Sequence, residues 1–148
     1  GGGGGGGSHY VYYLGEAYQA PLGAERGSQI TPLASLSAAG VKVSVHSDAP
    51  LAPPLPLRAA SAHLTRATRE GGVLTPEEKL SPQEALEAIT IDAAYALGLE
   101  LQIGSIAPGK RADFTVLEAN PLATAGDAWG DIPVWGVVLG GEKRPLAN

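Results

Sequence analysis

Val41 to His46 reads VKVSVH, with valine at every second position, the period of a short strand. Ser47, Asp48, Ala49 and Pro50 come directly after it. A carboxylate just past a hydrophobic strand stands where parallel-barrel enzymes carry their chemistry, at the C-terminal face of the sheet. Ionised, Asp48 offers two acceptor oxygens and no donor. The plain alternative is a loop aspartate capping the next turn. Strand alternation points His46 and Asp48 to the same side, which opens a substrate-facing or supporting role for His46. A hydrogen-bonded core or rim histidine would look the same. Arg26, in LGAER, could bind a substrate carboxylate or pair with a nearby aspartate. It could equally close a surface or helix-terminal ion pair. His9 opens an aromatic run, and barrel strands place site residues at their other end. His63 reads as a helix surface or packing residue.

The elements that would position these groups are expected from the local pattern. His9 to Leu14, HYVYYL, is aromatic and β-branched and is expected to be a strand. Thr31 is expected to cap a short helix with Pro32 in its first turn, running to Ala39 and stopping at Gly40. The segment SDAPLAPPLP holds four prolines, so it is a rigid loop leaving a strand end. A helix is expected from Leu57 to Glu70, ended by Gly71 and Gly72. Ser81-Pro82-Gln83-Glu84 is a capping box. Leu86, Ile89, Ala93 and Leu97 then form one buried helical face. Beyond Gly98, the runs Ile103–Ile106, Asp113–Leu117 and Val134–Leu139 are β-like and separated by turn residues. The last run and Glu142–Leu146 make a hairpin across Gly140-Gly141. Lys110 and Asp113 shape a turn there. Gly1 to Gly7 reads as a linker or placeholder, because a phosphate-cradling loop needs interspersed residues and a lysine or hydroxyl at fixed spacing.

Bulk properties narrow the function classes. The chain has 148 residues, room for one modest core. Its formal charge is -5 and its basic residues are scattered, which argues against a nucleic-acid partner. Charged residues are 17%, below the usual ~25%, so more of the surface is expected to be buried or covered by a partner. There is no cysteine, which excludes disulfides and thiolate metal sites and fits a cytoplasmic location. No apolar run approaches the ~20 residues of a membrane span.

Three segments carry a family resemblance. LGAERGSQITPLASLSAAGVKVSVHSDAP spans Leu22 to Pro50, LSPQEALEAITIDAAYALGLE spans Leu80 to Glu100, and GSIAPGKRADFTVLEANPL spans Gly104 to Leu122. In order and spacing they resemble the C-terminal portion of amidohydrolase-superfamily enzymes, amidohydrolase family 3 (YtcJ-like). The resemblance implies an α/β fold, the C-terminal part of a metal-dependent-hydrolase (β/α)8 TIM-like barrel followed by strands of a small β-sandwich. Residues 8–98 would be the last βα units and 99–148 the sandwich portion. His9–Leu14 and Val41–His46 would be the seventh and eighth barrel strands. It also implies that Asp48 binds a divalent metal, zinc in the first instance, and takes a proton from the attacking water. Arg26, His46 and His9 would face a small-molecule amide-type substrate.

A hydrolytic metal site needs several protein donors. Amidohydrolases usually supply a His-x-His pair, a mid-barrel Lys or Glu and two further histidines. This chain has three histidines and no His-x-His. A (β/α)8 barrel also needs ~250 residues. The expectation is therefore a C-terminal fragment of an amidohydrolase acting on non-peptide C–N bonds and inactive alone. The alternatives are a non-catalytic module that associates with a complementary chain or with itself, and a small binding domain whose resemblance is ancestral.

Overall fold

In the computed structural model, residues 3–27 and 29–146 are described, apart from the side chains of Ser8, His9 and Ala24. The strand that pairs with Lys42–His46 is the glycine tract itself. Gly3–Gly7 forms β1 and Lys42–His46 forms β2, parallel and in register from Gly3↔Lys42 to Gly7↔His46. Between them run α1 (Ser8–Gly27) and α2 (Leu33–Ala38), giving a β–α–β unit. This corrects two expectations. Gly3–Gly7 is a paired strand, not the expected linker or placeholder, Gly1 and Gly2 lying outside the described residues, and His9–Leu14 is helix, not strand. Glycine has no side chain and so shows no period; its strand state comes from pairing with β2. Aromatic and β-branched residues prefer a half-buried pleated surface only when one is offered. Here the run lies in a helix that buries Val11 and Gly15, one turn apart, and leaves Tyr12 exposed. A Cβ on Gly15 would lie 3.2 Å from Leu74 Cδ2, so α1 sits close on the loop after α3. The helix breaks at Gly23 (φ 75°, ψ 162°), two residues beyond Pro21.

Thr31 does not cap α2. Its own φ is 48° and its carbonyl accepts from Leu33 N–H at 2.8 Å. The cap comes from across the fold. Glu78, buried at 8% exposure, accepts from the Ser35 amide at 2.9 Å and from the Ser35 hydroxyl. Fully buried Arg66 donates at 2.9 Å to the carbonyls of Ile30, Thr31 and Leu74. The far end of α2 is as the sequence implies. Gly40 (φ 79°) donates to Ser37 O, and Val41 donates to Leu36 O, a glycine-terminated helix stop.

Helix α3 is Pro56–Thr65, shorter than expected. Arg66 is left-handed (φ 55°), and its carbonyl accepts from Leu74 N–H at 2.8 Å. The chain turns back there, with Thr68 N–H bonded to Gly72 O and a bridge between Ala67 and Val73. The tertiary role of Arg66 decides the helix end; Gly71 serves the turn beyond it. Helix α4 (Pro82–Ile89) has the expected capping box, with both Ser81–Glu84 bonds present. A break at Thr90 (φ -128°, ψ -95°) separates it from α5 (Ile91–Ala96). The expected continuous stripe is therefore divided. Leu86 and Ile89 pack on the core, while Leu97 is 72% exposed. The core lies on one face of the β1–β2 sheet, joining Leu33 and Val43 to Ala85, Ala88, Trp129 and Ile132.

The second sheet is antiparallel, in the order β3 (Phe114–Leu117), β4 (Val134–Leu139), β5 (Glu142–Pro145). The β4–β5 hairpin turns at Gly140 (φ 58°) and Gly141 (φ 87°), both left-handed as a tight hairpin requires. Asp113 Oδ1 accepts from Gly140 N–H at 2.7 Å, and Lys110 Nζ donates to Ser105 Oγ at 2.7 Å and Ile103 O at 3.2 Å. Both residues shape turns, as expected. Ile103–Ile106 is turn, not strand: Gly104 is packed so tightly on α5 that a Cβ there would lie 2.7 Å from Ala94 Cβ. Neither sheet closes among the described residues, and no helix there is long and apolar enough to cross a membrane.

Burial pushes the Glu78 carboxyl up, but the Ser35 hydroxyl and amide and the Arg66 charge outweigh it and hold the group below the usual carboxylate range. A lowered folded-state pKa gives stability that is complete above the unfolded value, near 4.5, and is lost as pH falls through the folded value. Glu78→Gln should cost about 1–2 kcal/mol at neutral pH, read from urea unfolding. It should also flatten the acid side of the stability curve, a result that a merely exposed Glu78 would not give.

Candidate active site

Parallel pairing sets the C-terminal ends of β1 and β2 side by side, with Gly7 opposite His46. The residues just beyond each strand are therefore brought to one edge. After β2 come Ser47 and Asp48. After β1 come Ser8, His9 and Tyr10, the first turn of α1. His9 thus lies just past a strand end and does not open a strand, which removes the geometric objection to it. Its side chain is not among those described.

Asp48 is held by its backbone. It takes a left-handed conformation (φ 55°), one that aspartate tolerates better than most residues. Its carbonyl accepts from Leu51 N–H at 2.9 Å across the cis Ala49–Pro50 bond. The side chain is exposed, and Oδ2 accepts a 3.2 Å hydrogen bond from Tyr10 Oη. Tyr10 in turn lies over bare backbone. A Cβ on Gly7 would fall 2.5 Å from Tyr10 Cδ2, and 3.5 Å from His46 Cε1. Tyr18 stands beside the Tyr10 ring, centroids 6.2 Å apart. The hydrogen bond to Asp48, and then its negative charge, hold the Tyr10 phenol above the ordinary tyrosine range.

The structure thus brings together Asp48, His46 and Tyr10. Tyr10 was missed by sequence reasoning, because a strand assignment for HYVYYL hid its place in a first helical turn beside a strand end. Arg26 is exposed in the last turn of α1, where a cation suits the helix terminus, and makes no ion pair among the described residues. His63 is fully buried in α3, which removes the surface alternative for it. Among the described residues, no group of three or more His, Asp or Glu is placed to hold a metal ion. The donors here do not by themselves fit a metal centre. A cavity of about 630 Å³ lies elsewhere, between α1, α3 and the turn at Gly126, and is lined by Tyr12, Arg58 and Lys79.

Known proteins resemble the chain in both sequence and fold. The model of a family described as "Amidohydrolase family" matches residues 3–143. An N-substituted formamide deformylase of Arthrobacter pascens is 34% identical over 116 residues, 78% of this chain and 21% of that protein. An imidazolonepropionase of Shewanella frigidimarina is 40% identical over 70 residues, 47% of this chain and 17% of that protein. The chain thus spans about a fifth of the length of the curated relatives it matches. A crystal structure of an amidohydrolase from Thermotoga maritima superposes with a TM-score of 0.56 at 26% identity, covering 74% of this chain and 24% of that one.

The Tyr10–Asp48 bond can be read in solution. The phenolate absorbance assigned to Tyr10 by difference against Tyr10→Phe should titrate above the other tyrosines. Asp48→Asn should bring it back toward the ordinary range. An unchanged titration would show that the bond does not persist in solution.

Proposed function

The chain belongs to the amidohydrolase family, and on that premise we propose that it is the C-terminal part of a metal-dependent hydrolase of amide or other non-peptide C–N bonds. The observation that carries this reading is the convergence of two parallel strand ends with the Asp48 carboxylate exposed between them. A two-stranded parallel sheet with open edges is a segment of a larger sheet, and a (β/α)8 barrel is the proposed whole. Residues 8–98, with β1 before them, then supply its last βα units and 99–148 the sandwich portion.

In that reading Asp48 accepts a proton from the water whose oxygen bonds to the substrate carbonyl carbon. The C–N bond breaks, and the nitrogen leaves carrying a proton. His46 and His9 stand on the substrate side of the strand ends, whereas Arg26, in the last turn of α1, is not placed with them and keeps no substrate role in this reading. Asp48 is also one donor to a divalent metal, with zinc the ion to test first. The remaining donors are not among the described residues, so the chain alone is inactive. N-substituted formamides and ring amides are the substrate classes that the relatives' names point to.

In the protein that carries this chain together with the remaining donors, Asp48→Asn should lower kcat about 10²–10⁴-fold. The purified chain should show neither turnover nor stoichiometric metal. Zinc bound at one equivalent with turnover would overturn the fragment reading. The open edges of β1 and β2 favour a second reading, a module that pairs with a complementary chain or with itself. A stable monomer on sizing, unchanged when the complementary segment is added, would dismiss it.

A further inference from the structure

From the geometry around Gly7 we infer that Tyr10 is a positioning residue for Asp48, fixing the plane of its carboxylate before substrate arrives. This rests on the reading of Asp48 as the proton acceptor. The terminal torsion of an aspartate is broad and two-fold, so an exposed carboxylate at a strand end does not hold one orientation by itself. Here Tyr10 Oη donates to Oδ2 at 3.2 Å, which selects one oxygen and leaves the other for a different partner. The tyrosine is itself fixed. Its ring occupies the space that a side chain on Gly7 would need, only 2.5 Å from the position of a Cβ. It sits in the first turn of α1 and is flanked by Tyr18. A Cβ at the end of β1 would collide with this ring, so a side chain there should shift the ring and with it the donor. A reacting group displaced by about 1 Å can lose 10²-fold in rate, so this hydrogen bond is of a kind that catalysis feels while stability barely does.

The test uses the protein that carries this chain with the remaining donors and an N-substituted formamide as probe. Tyr10→Phe keeps the ring and removes the donor. It should lower kcat about 10-fold or more, with KM nearly unchanged and the thermal midpoint retained. Gly7→Ala keeps the phenol and moves the ring, and should reproduce the loss. The double variant should be no worse than either single one, because both break the same contact. Tyr10→Phe with wild-type kcat, in a protein that Asp48→Asn silences, overturns the role of Tyr10 alone. So do losses that multiply in the double variant. A wild type without turnover, or an Asp48→Asn variant that keeps it, removes the site reading and this inference together.

Discussion

Parallel pairing of Gly3–Gly7 with Lys42–His46 is the constraint on which the site depends. Antiparallel strands would send the two C-terminal ends to opposite edges. Parallel ones bring them together, and so set the first turn of α1 against the loop after β2. Close packing calls for glycine at two positions of β1, Gly6 and Gly7, while a Cβ at Gly3, Gly4 or Gly5 would meet nothing nearer than 3.8 Å. Gly6 lies where a Cβ would be 3.0 Å from Leu33 Cδ2, and Gly7 where it would meet Tyr10. One face of the strand is crowded by α2 and its C-terminal end by the tyrosine, so a strand of low intrinsic propensity is tolerated where close approach is needed.

The parallel crossover depends on α2 feeding β2 at a fixed angle, and α2 is only six residues long. A helix so short is not stable on propensity alone. Its first turn is held instead by Glu78 and the loop before it by Arg66. Both residues belong to the segment after α3, distant in sequence. Arg66 is buried without a direct carboxylate partner among the described ion pairs; three carbonyl oxygens receive its donors. This arrangement is costly to desolvate and disruptive to break, which suits a residue whose task is to fix a crossing point. The same segment grips α1, through Arg69 N–H on Tyr12 O and Thr68 Oγ1 on Glu16. One segment thus steadies α1, which carries Tyr10, and α2, which leads into β2.

Asp48 alone is an aspartate on a turn. With Tyr10 donating to it, its carboxylate is tied to the first turn of α1 at the mouth of two strands. In the proposed reading the metal donors other than Asp48 lie outside the described residues, and the open edges of the β1–β2 sheet are where further strands would continue it. The three-stranded sheet beyond α5 is built differently, with turns fixed by Asp113 and Lys110 and a charged edge strand, β5.

Local chemistry determined the parts that need no partner. The Ser81–Glu84 cap, the Gly40 helix stop, β2, the β4–β5 hairpin and the placing of Asp48 after a strand are written in side chains a few residues apart. The tertiary structure decided the rest, for identifiable reasons. Glycines carry no pattern, so β1 is visible only through its partner. HYVYYL suits a sheet, but packing against the loop after α3 makes it helix. Arg66 ends α3 early because its carbonyl and guanidinium are bound to Leu74, and Gly104 packs against α5 where the run around it reads as strand. The contact of Tyr10 with Asp48 joins residues 38 positions apart. No periodicity in the sequence encodes that contact; it exists because two parallel strands end at the same edge.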